Sequence, residues 1–124
     1  MNYLIVFLAG SIGAALRHGV NRASLAMFGA SFPVGTLIVN IAGSTVMGLL
    51  VGWFASRSGD AQSFRLFLTT GLLGGFTTFS AFSLDTVVLW ERGNQLTTVI
   101  YVTASVAVSI AGLLIGMAAT RYLT

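Results

Sequence analysis

The residues best suited to bind an ion lie in one stretch rich in glycine, threonine and phenylalanine, Gly71–Phe82. Phe79 and Phe82 are three positions apart, so on helical backbone their rings project from nearly the same face. An aromatic ring has a negative face and a positive edge, and ring edges can meet a small anion without trapping it as a full positive charge would. Phenylalanine in an apolar segment more often serves packing. Here the rings alternate with the hydroxyls of Thr78 and Ser80, which favours an anion path.

The composition places this stretch in a membrane protein. The chain has 124 residues, of which 56% are hydrophobic and 7% charged, whereas about a quarter of the residues in soluble domains are charged. A helix needs about 20 residues to cross the hydrocarbon core. Of four nearly uncharged stretches, the second and fourth meet this requirement outright. The third meets it if Thr86–Trp90, beyond Asp85, is included, and the first only if Arg17 and Arg22 lie within its helix or at its end. We therefore predict an all-α membrane protein with a single domain over residues 1–124. Its four transmembrane helices are expected at about 3–28, 33–56, 65–90 and 96–122.

The third segment contains Gly71–Phe82 and has a low propensity to form a continuous helix. An interior glycine costs about 1 kcal/mol relative to alanine, and three glycines and two threonine pairs stand in or beside this stretch. Unwound backbone at membrane depth is tolerated only where it is buried in protein or lines a cavity. Broken helices in transporters expose carbonyl oxygens to cations and N–H groups to anions. We predict a third helix that is broken mid-membrane; the alternative is a continuous helix whose glycines serve close packing.

Two polar side chains interrupt the first and second segments. Asn40 lies two turns into the second, and because an amide in hydrocarbon must find a partner, it faces either another helix or a wet path. Arg17 lies late in the first segment. An arginine within a span costs several kcal/mol unless it snorkels to the interface or faces a polar cavity or partner. Arg17 therefore either snorkels or supplies a fixed positive charge that draws anions into a vestibule.

The fourth segment carries a polar stripe on an otherwise apolar helix. Tyr101, Ser105 and Ser109 recur at four-residue spacing, which places them on one side of a helix. Hydroxyls can join helices in a bundle, but a stripe that ends near mid-membrane suits a half-channel of hydrogen-bond donors. Small residues at four-residue spacing also predict close helix packing; they are Gly10 and Ala14, then Ser44, Gly48 and Gly52, then Gly112 and Gly116.

The charges beside the spans do not favour either orientation of the chain in the membrane. Cytoplasmic loops normally carry the excess of lysine and arginine, but here the arginines divide three against three. With four spans, Arg57, Arg65 and Arg121 fall on one side of the membrane and Arg17, Arg22 and Arg92 on the other. Either partner proteins orient the chain, or it inserts both ways and assembles as an antiparallel homodimer. We expect the antiparallel, dual-topology homodimer.

Three motifs follow one another along the chain. They are Gly13-Ala14-x-x-Arg17, then Pro33-x-Gly35-Thr36-Leu37-x-Val39-Asn40, then Gly71-x-x-Gly74-Gly75-Phe76-Thr77-Thr78-Phe79-Ser80-x-Phe82-Ser83. Read together, they resemble the CrcB/Fluc family of fluoride channels. The third motif is highly specific, and the likeness covers the whole chain in length, number of spans and order of motifs.

The resemblance implies a channel that passively exports fluoride and relieves fluoride toxicity. It further implies a multi-pass protein of the bacterial inner (plasma) membrane, built as an antiparallel homodimer with two pores. The expected partners are therefore the fluoride ion, the lipid bilayer and a second copy of the chain. Two departures from the family pattern are visible: His18 stands where an aromatic residue is usual after the arginine, and Asp85 stands where glutamate is common.

The same resemblance assigns site residues. It places Phe79, Phe82 and Asn40 along the fluoride pore, together with the hydroxyl residues Thr78, Ser80, Tyr101, Ser105 and Ser109. It implies that the backbone carbonyls of Gly74 and Thr77, from both subunits, hold a structural sodium ion at the dimer centre. It also places Arg17 near the aqueous vestibule.

The main rival function is a small four-span exporter of drugs or other organic cations. Such a proton-coupled exporter needs a carboxylate deep in the membrane, and the only acid inside a span is Asp85, late in the third segment, where it more plausibly pairs with an arginine or ends the helix. A non-transporting assembly subunit would leave the break and the hydroxyl stripe without a purpose. No catalytic constellation appears, so we do not expect an enzyme. The arginines are scattered singly, so we expect no nucleic-acid partner.

Overall fold

The computed structural model describes residues 2–55 and 62–123, and every regular element in these two ranges is helical. Four helical stretches are long and apolar enough to cross a membrane: Asn2–Phe28, Val34–Ala55, Gln62–Glu91 and Gln95–Tyr122. These findings confirm the predicted all-helical architecture with four potential spans. The end of the second predicted span, Ser56, and one arginine of the charge argument, Arg57, lie outside the described residues.

The first two helices are continuous. Helix α1 covers Asn2–Phe28 and α2 covers Val34–Ala55. Both Arg17 and Arg22 therefore lie within α1, as the length of the first span requires. The chain leaves α1 through Gly29, whose φ of +77° is a left-handed conformation that glycine adopts without strain.

The third segment, Gln62–Glu91, is divided into several pieces. After α3 (Gln62–Leu66), a π-helical segment covers Phe67–Leu73, and a short α4 covers Gly74–Phe76. The backbone of Thr77 is then extended, with φ −82° and ψ 160°, and helix resumes as α5 (Ser80–Glu91). The glycines and β-branched threonines of this stretch have low helix propensity, because they lose conformational freedom in a helix.

The fourth segment is one long helix, α6 (Gln95–Leu123), and its main neighbour is α2. The two backbones approach closely because glycines replace larger side chains where they meet. A Cβ atom at Gly116 would lie 2.8 Å from the backbone nitrogen of Leu49, and one at Gly48 would overlap the backbone of Leu113. This contact confirms the close-packing faces predicted for Gly48 and Gly116.

Helix α1 packs against the third segment rather than against α6. The contact again depends on glycine, since a Cβ atom at Gly13 would overlap the carbonyl of Leu72 and one at Gly75 would overlap the backbone of Gly10. The fold therefore consists of two tightly packed pairs, α1 with the first part of the third segment and α2 with α6. The stretch Thr77–Phe79 leads from the first pair toward the second.

Candidate functional site

A groove of about 470 Å³ lies between α2, the third segment and α6. It brings together eight of the residues that the sequence assigned to the pore or to the sodium site. The residues that line it are Asn40, Ser44, Gly74, Thr77, Thr78, Phe79, Phe82, Ser105, Val106, Ser109 and Ile110. Three predicted residues do not line it: Ser80, Tyr101 and Arg17.

Asn40 joins α2 to the interruption of the third segment. Its Nδ2 donates a hydrogen bond to the carbonyl oxygen of Thr78, and the Thr78 N–H donates to its Oδ1, both at 2.9 Å. Both backbone groups of Thr78 are thus satisfied by one side chain, although neither takes part in a helix. Of the two alternatives that the sequence left for Asn40, the structure shows the contact with another segment. The side chain also lines the groove, and the wet path stays a prediction.

Thr78 in turn organises the start of α5. Its hydroxyl accepts the N–H of Ala81 at 3.2 Å and lies 3.3 Å from the hydroxyl of Ser80. A threonine oxygen that accepts an N–H three residues later satisfies one of the free donors in the first turn of a helix. The Thr78 hydroxyl is therefore used by the backbone, and Ser80 is exposed beside it rather than on the groove wall.

The two predicted rings lie side by side at the start of α5. The ring centroids of Phe79 and Phe82 are 5.6 Å apart, with the ring planes inclined at 51°. This confirms that the two rings share a face. Phe79 is 77% exposed, and Phe82 also contacts Tyr101, at a centroid distance of 5.3 Å. Of the three rings Phe79, Phe82 and Tyr101, the first two line the groove.

Ser105 and Ser109 place two buried hydroxyls on the wall formed by α6. Within the described part of the chain, neither hydroxyl oxygen has a hydrogen-bond partner. Thr98 on the same helix shows the ordinary arrangement, since its hydroxyl donates to the carbonyl of Asn94 at 2.8 Å. A buried polar group without a partner costs about 1–3 kcal/mol and calls for an explanation. A ligand in the groove that accepts hydrogen bonds from both hydroxyls would explain them.

Tyr101 belongs to the polar stripe in sequence but not to the groove in space. It is fully buried, and its hydroxyl donates to Oδ2 of Asp85 at 3.0 Å. The expectation that Asp85 pairs with an arginine or ends the helix was wrong. Its partner is a tyrosine hydroxyl, and α5 continues beyond it to Glu91.

Arg17 and the predicted sodium ligands lie around the short helix α4. The Nε of Arg17 donates to the carbonyl of Gly75 at 3.3 Å, so this guanidinium contacts backbone of the third segment, and its vestibule role stays a prediction. Because the N–H of Thr78 is directed to Asn40, it does not bond the carbonyl of Gly74. Among the described residues, no donor bonds the carbonyls of Gly74 and Thr77, so both oxygens are free to coordinate a cation.

Sequence reasoning missed Ser44, Val106 and Ile110 as groove residues. For Ser44 a signal was present, because it stands four positions after Asn40 and therefore on the same side of α2. Its small size led us to count it with Gly48 as a packing residue. Nothing in the sequence distinguishes Val106 and Ile110 from apolar side chains that face lipid.

Comparison with known proteins gives a consistent family. The family model described as "CrcB-like protein, Camphor Resistance (CrcB)" matches residues 4–117. The chain belongs to this family. It is 57% identical over 121 residues to the "Fluoride-specific ion channel FluC" of Methylobacterium nodulans, an alignment that covers 98% of this chain and 97% of the relative. It is 51% identical to the "Fluoride-specific ion channel FluC 2" of Nitrobacter hamburgensis and 52% identical to the FluC of Rhodopseudomonas palustris strain BisB5, in both cases over the full length of both chains.

Membership confirms the relationship that the three sequence motifs indicated. These relatives are named as ion channels, which are not enzymes. The four apolar helices and the channel relatives together identify a multi-pass membrane protein.

Because the two serine hydroxyls have no partner, we predict that removing either of them stabilises the protein. In a fluoride-free buffer, Ser105→Ala and Ser109→Ala each raise the stability of the detergent-solubilised protein by about 1 kcal/mol, because each removes a buried hydroxyl that has no partner. The thermal unfolding midpoint measures the effect. Thr98→Val serves as the control and does not stabilise, since the Thr98 hydroxyl is already bonded. A loss of stability in both serine variants would show that these hydroxyls have structural partners.

Proposed function

We propose that the chain forms a fluoride-selective channel that passively exports fluoride across the inner membrane of a bacterium and so relieves fluoride toxicity. The names of its relatives support fluoride as the ion. The single observation in the structure that carries the proposal is the pair of buried, unpartnered hydroxyls of Ser105 and Ser109, which face a groove that also contains Phe79 and Phe82.

The groove offers what a small anion requires. Fluoride is strongly hydrated, so a pore must replace its water with donors along a narrow path. Ser105 and Ser109 supply hydroxyl donors, and Asn40 retains one amide N–H beyond the one it gives to Thr78. Phe79 and Phe82 supply positive ring edges. Among residues 2–55 and 62–123, no arginine or histidine lines the groove, so an anion can be bound there without being trapped by a full positive charge.

An antiparallel homodimer with two pores completes this site. One protomer leaves the groove open and Phe79 77% exposed, and a second copy would close it. The balanced arginines are compatible with insertion in both directions. In this arrangement the interruption at Thr77–Phe79 lies mid-membrane. The free carbonyls of Gly74 and Thr77 from both subunits then hold a structural sodium ion at the dimer centre.

A cation exporter is the less favoured function. Its mechanism requires a carboxylate in the transport site, but Asp85 lies outside the groove and accepts the hydroxyl of Tyr101. The relatives named above are fluoride channels rather than exporters.

Ion flux from liposomes tests the function. The purified protein should dissipate a fluoride gradient at least a hundredfold faster than a chloride gradient, without any proton gradient. Phe79→Ile and Phe82→Ile should each lower the fluoride flux at least tenfold and leave the oligomeric state unchanged. Phe7→Ile, on the exposed side of α1, is the matched control and should conduct normally. Equal flux of both ions, or fluoride flux only with a proton gradient, would contradict the proposal.

Labelling of single cysteines tests the antiparallel arrangement. The chain has no cysteine, so Gln95→Cys at the start of α6 and Gln62→Cys at the start of α3 give unique sites on opposite sides. In intact cells, an impermeant thiol reagent should label about half of each variant, and the remainder should react only after permeabilisation. Near-complete labelling of one variant with none of the other would establish a single orientation instead.

A further inference from the structure

A cavity of about 310 Å³ lies at the end of the bundle where α2 ends, the third segment begins and α6 ends. Leu50, Trp53 and Phe54 line it from α2, Phe64 and Leu68 from the third segment, and Thr120 from α6. The hydroxyl of Thr120 donates to the carbonyl of Gly116 at 3.1 Å, so the wall is apolar in character. We call this space the Trp53 cavity. Its lining suits an apolar ligand.

The Trp53 cavity lies on the side of α2 away from the groove. Among the described residues, none lines both. Successive residues of an α-helix are rotated by about 100°. Leu49, which also lines the cavity, is therefore directed about 180° away from Asn40, and Trp53 about 140° away. The second copy that is proposed to close the groove approaches α2 from the opposite side, so the bilayer is the neighbour of the Trp53 cavity.

The cavity opens at the depth where phospholipid acyl chains meet their headgroups. Helix α2 has 22 residues, and its length of about 33 Å matches the thickness of the hydrocarbon core. Trp53 lies two positions before the last residue of α2, and Phe64 and Thr120 are equally close to the ends of their spans. Tryptophan is enriched at this level of a membrane. An acyl chain can therefore enter the cavity while its phosphate stays at the interface.

The rim of the cavity carries positive charge. The guanidinium of Arg65 lies over the ring of Phe54, 5.0 Å from its centroid, and donates to the Phe54 carbonyl at 3.4 Å. Because Phe54 lines the cavity, this charge is held at its edge. In sequence, the same end of the bundle carries three arginines, Arg57, Arg65 and Arg121, against one acid, Asp60. The excess of two positive charges complements an anionic headgroup.

We propose that the Trp53 cavity holds an acyl chain of an anionic phospholipid whose phosphate lies among the arginines at the rim. Lipid tails are as apolar as the cavity wall, so the hydrophobic effect does not favour this position over the bulk bilayer. The acyl chain instead gains packing contacts with the wall, and the arginines select the headgroup by its charge. The site does not depend on fluoride conduction, so it stands or falls separately from the proposed function.

The two tryptophans of the chain, Trp53 and Trp90, provide a matched pair of reporters. Trp53 lines the cavity, whereas Trp90 lies near the end of α5, outside the cavity and 52% exposed. The residues after Trp90 are Glu91 and Arg92, whose charges cancel, so no preference for an anionic lipid is expected there. Bromine atoms on an acyl chain quench tryptophan fluorescence on contact. Trp90→Phe leaves Trp53 as the reporter of the cavity, and Trp53→Phe leaves Trp90 as the control.

The test compares brominated phosphatidylglycerol with brominated phosphatidylcholine, each as the same small fraction of phosphatidylcholine liposomes. The brominated phosphatidylglycerol should quench Trp53 roughly threefold more strongly than the brominated phosphatidylcholine, and the two lipids should quench Trp90 equally. In the Trp90→Phe protein, Arg65→Gln and Arg121→Gln should each lower this ratio toward one. Arg65→Lys keeps the charge and should retain most of the ratio, which guards against poor folding of the glutamine variant.

A narrower cavity tests the position of the acyl chain separately from the headgroup. Leu68→Phe fills part of the space and leaves the arginines in place, so it should reduce the quenching of Trp53 by brominated phosphatidylglycerol by about half. Unchanged quenching would show that the headgroup binds without a chain in the cavity, and would refute the proposal.

Three further results would overturn the site. Equal quenching of Trp53 by the two lipids would show that the arginines select no headgroup. An equal preference for phosphatidylglycerol at Trp53 and Trp90 would show only a general attraction to a chain of net charge +3. No quenching of Trp53 by either lipid would place protein, such as a second copy of the chain, over the cavity.

Discussion

The two hydrogen bonds between Asn40 and Thr78 are the interaction on which the remaining site depends. No water is present in the bilayer core to satisfy a backbone N–H or C=O that leaves a helix. One amide side chain on α2 satisfies both groups of Thr78, so the third segment can interrupt its helix there. The interruption has two consequences: it leaves the Gly74 carbonyl without its helical donor, and it lets α5 begin with Phe79 and Phe82 on the groove.

Close backbone packing positions the helices on either side of the Asn40–Thr78 contact. Glycines bring α6 against α2, so that Ser105 and Ser109 line the groove with Asn40. On the other side, glycines bring α1 against the third segment, where Arg17 reaches the carbonyl of Gly75. Backbone contact thus sets the separation of α2 and α6, and that of α1 and the third segment, whereas the side chain of Asn40 joins α2 to the third segment.

The sequence predicted the spans, the shared face of Phe79 and Phe82 and the need of Asn40 for a partner, because hydropathy and helical spacing are local properties. It did not identify Thr78 as that partner, or the π-helical segment Phe67–Leu73, because both depend on tertiary packing. Tyr101 lies apart from the groove for a geometric reason, and its assigned role in the pore stays a prediction. Residues four apart on a helix of 3.6 residues per turn are rotated by about 40°, so Tyr101 and Ser109 differ by about 80°, and Tyr101 turns toward Asp85.

Fluoride flux through Asn40→Asp tests the central claim most directly. The aspartate has nearly the same shape and can still accept the Thr78 N–H, but it cannot donate to the Thr78 carbonyl and it places a negative charge in the groove. With folding verified by gel filtration, the account predicts at least a tenfold loss of fluoride flux in liposomes, whereas Asn94→Asp in the exposed turn before α6 conducts normally. Wild-type flux through Asn40→Asp would contradict the account.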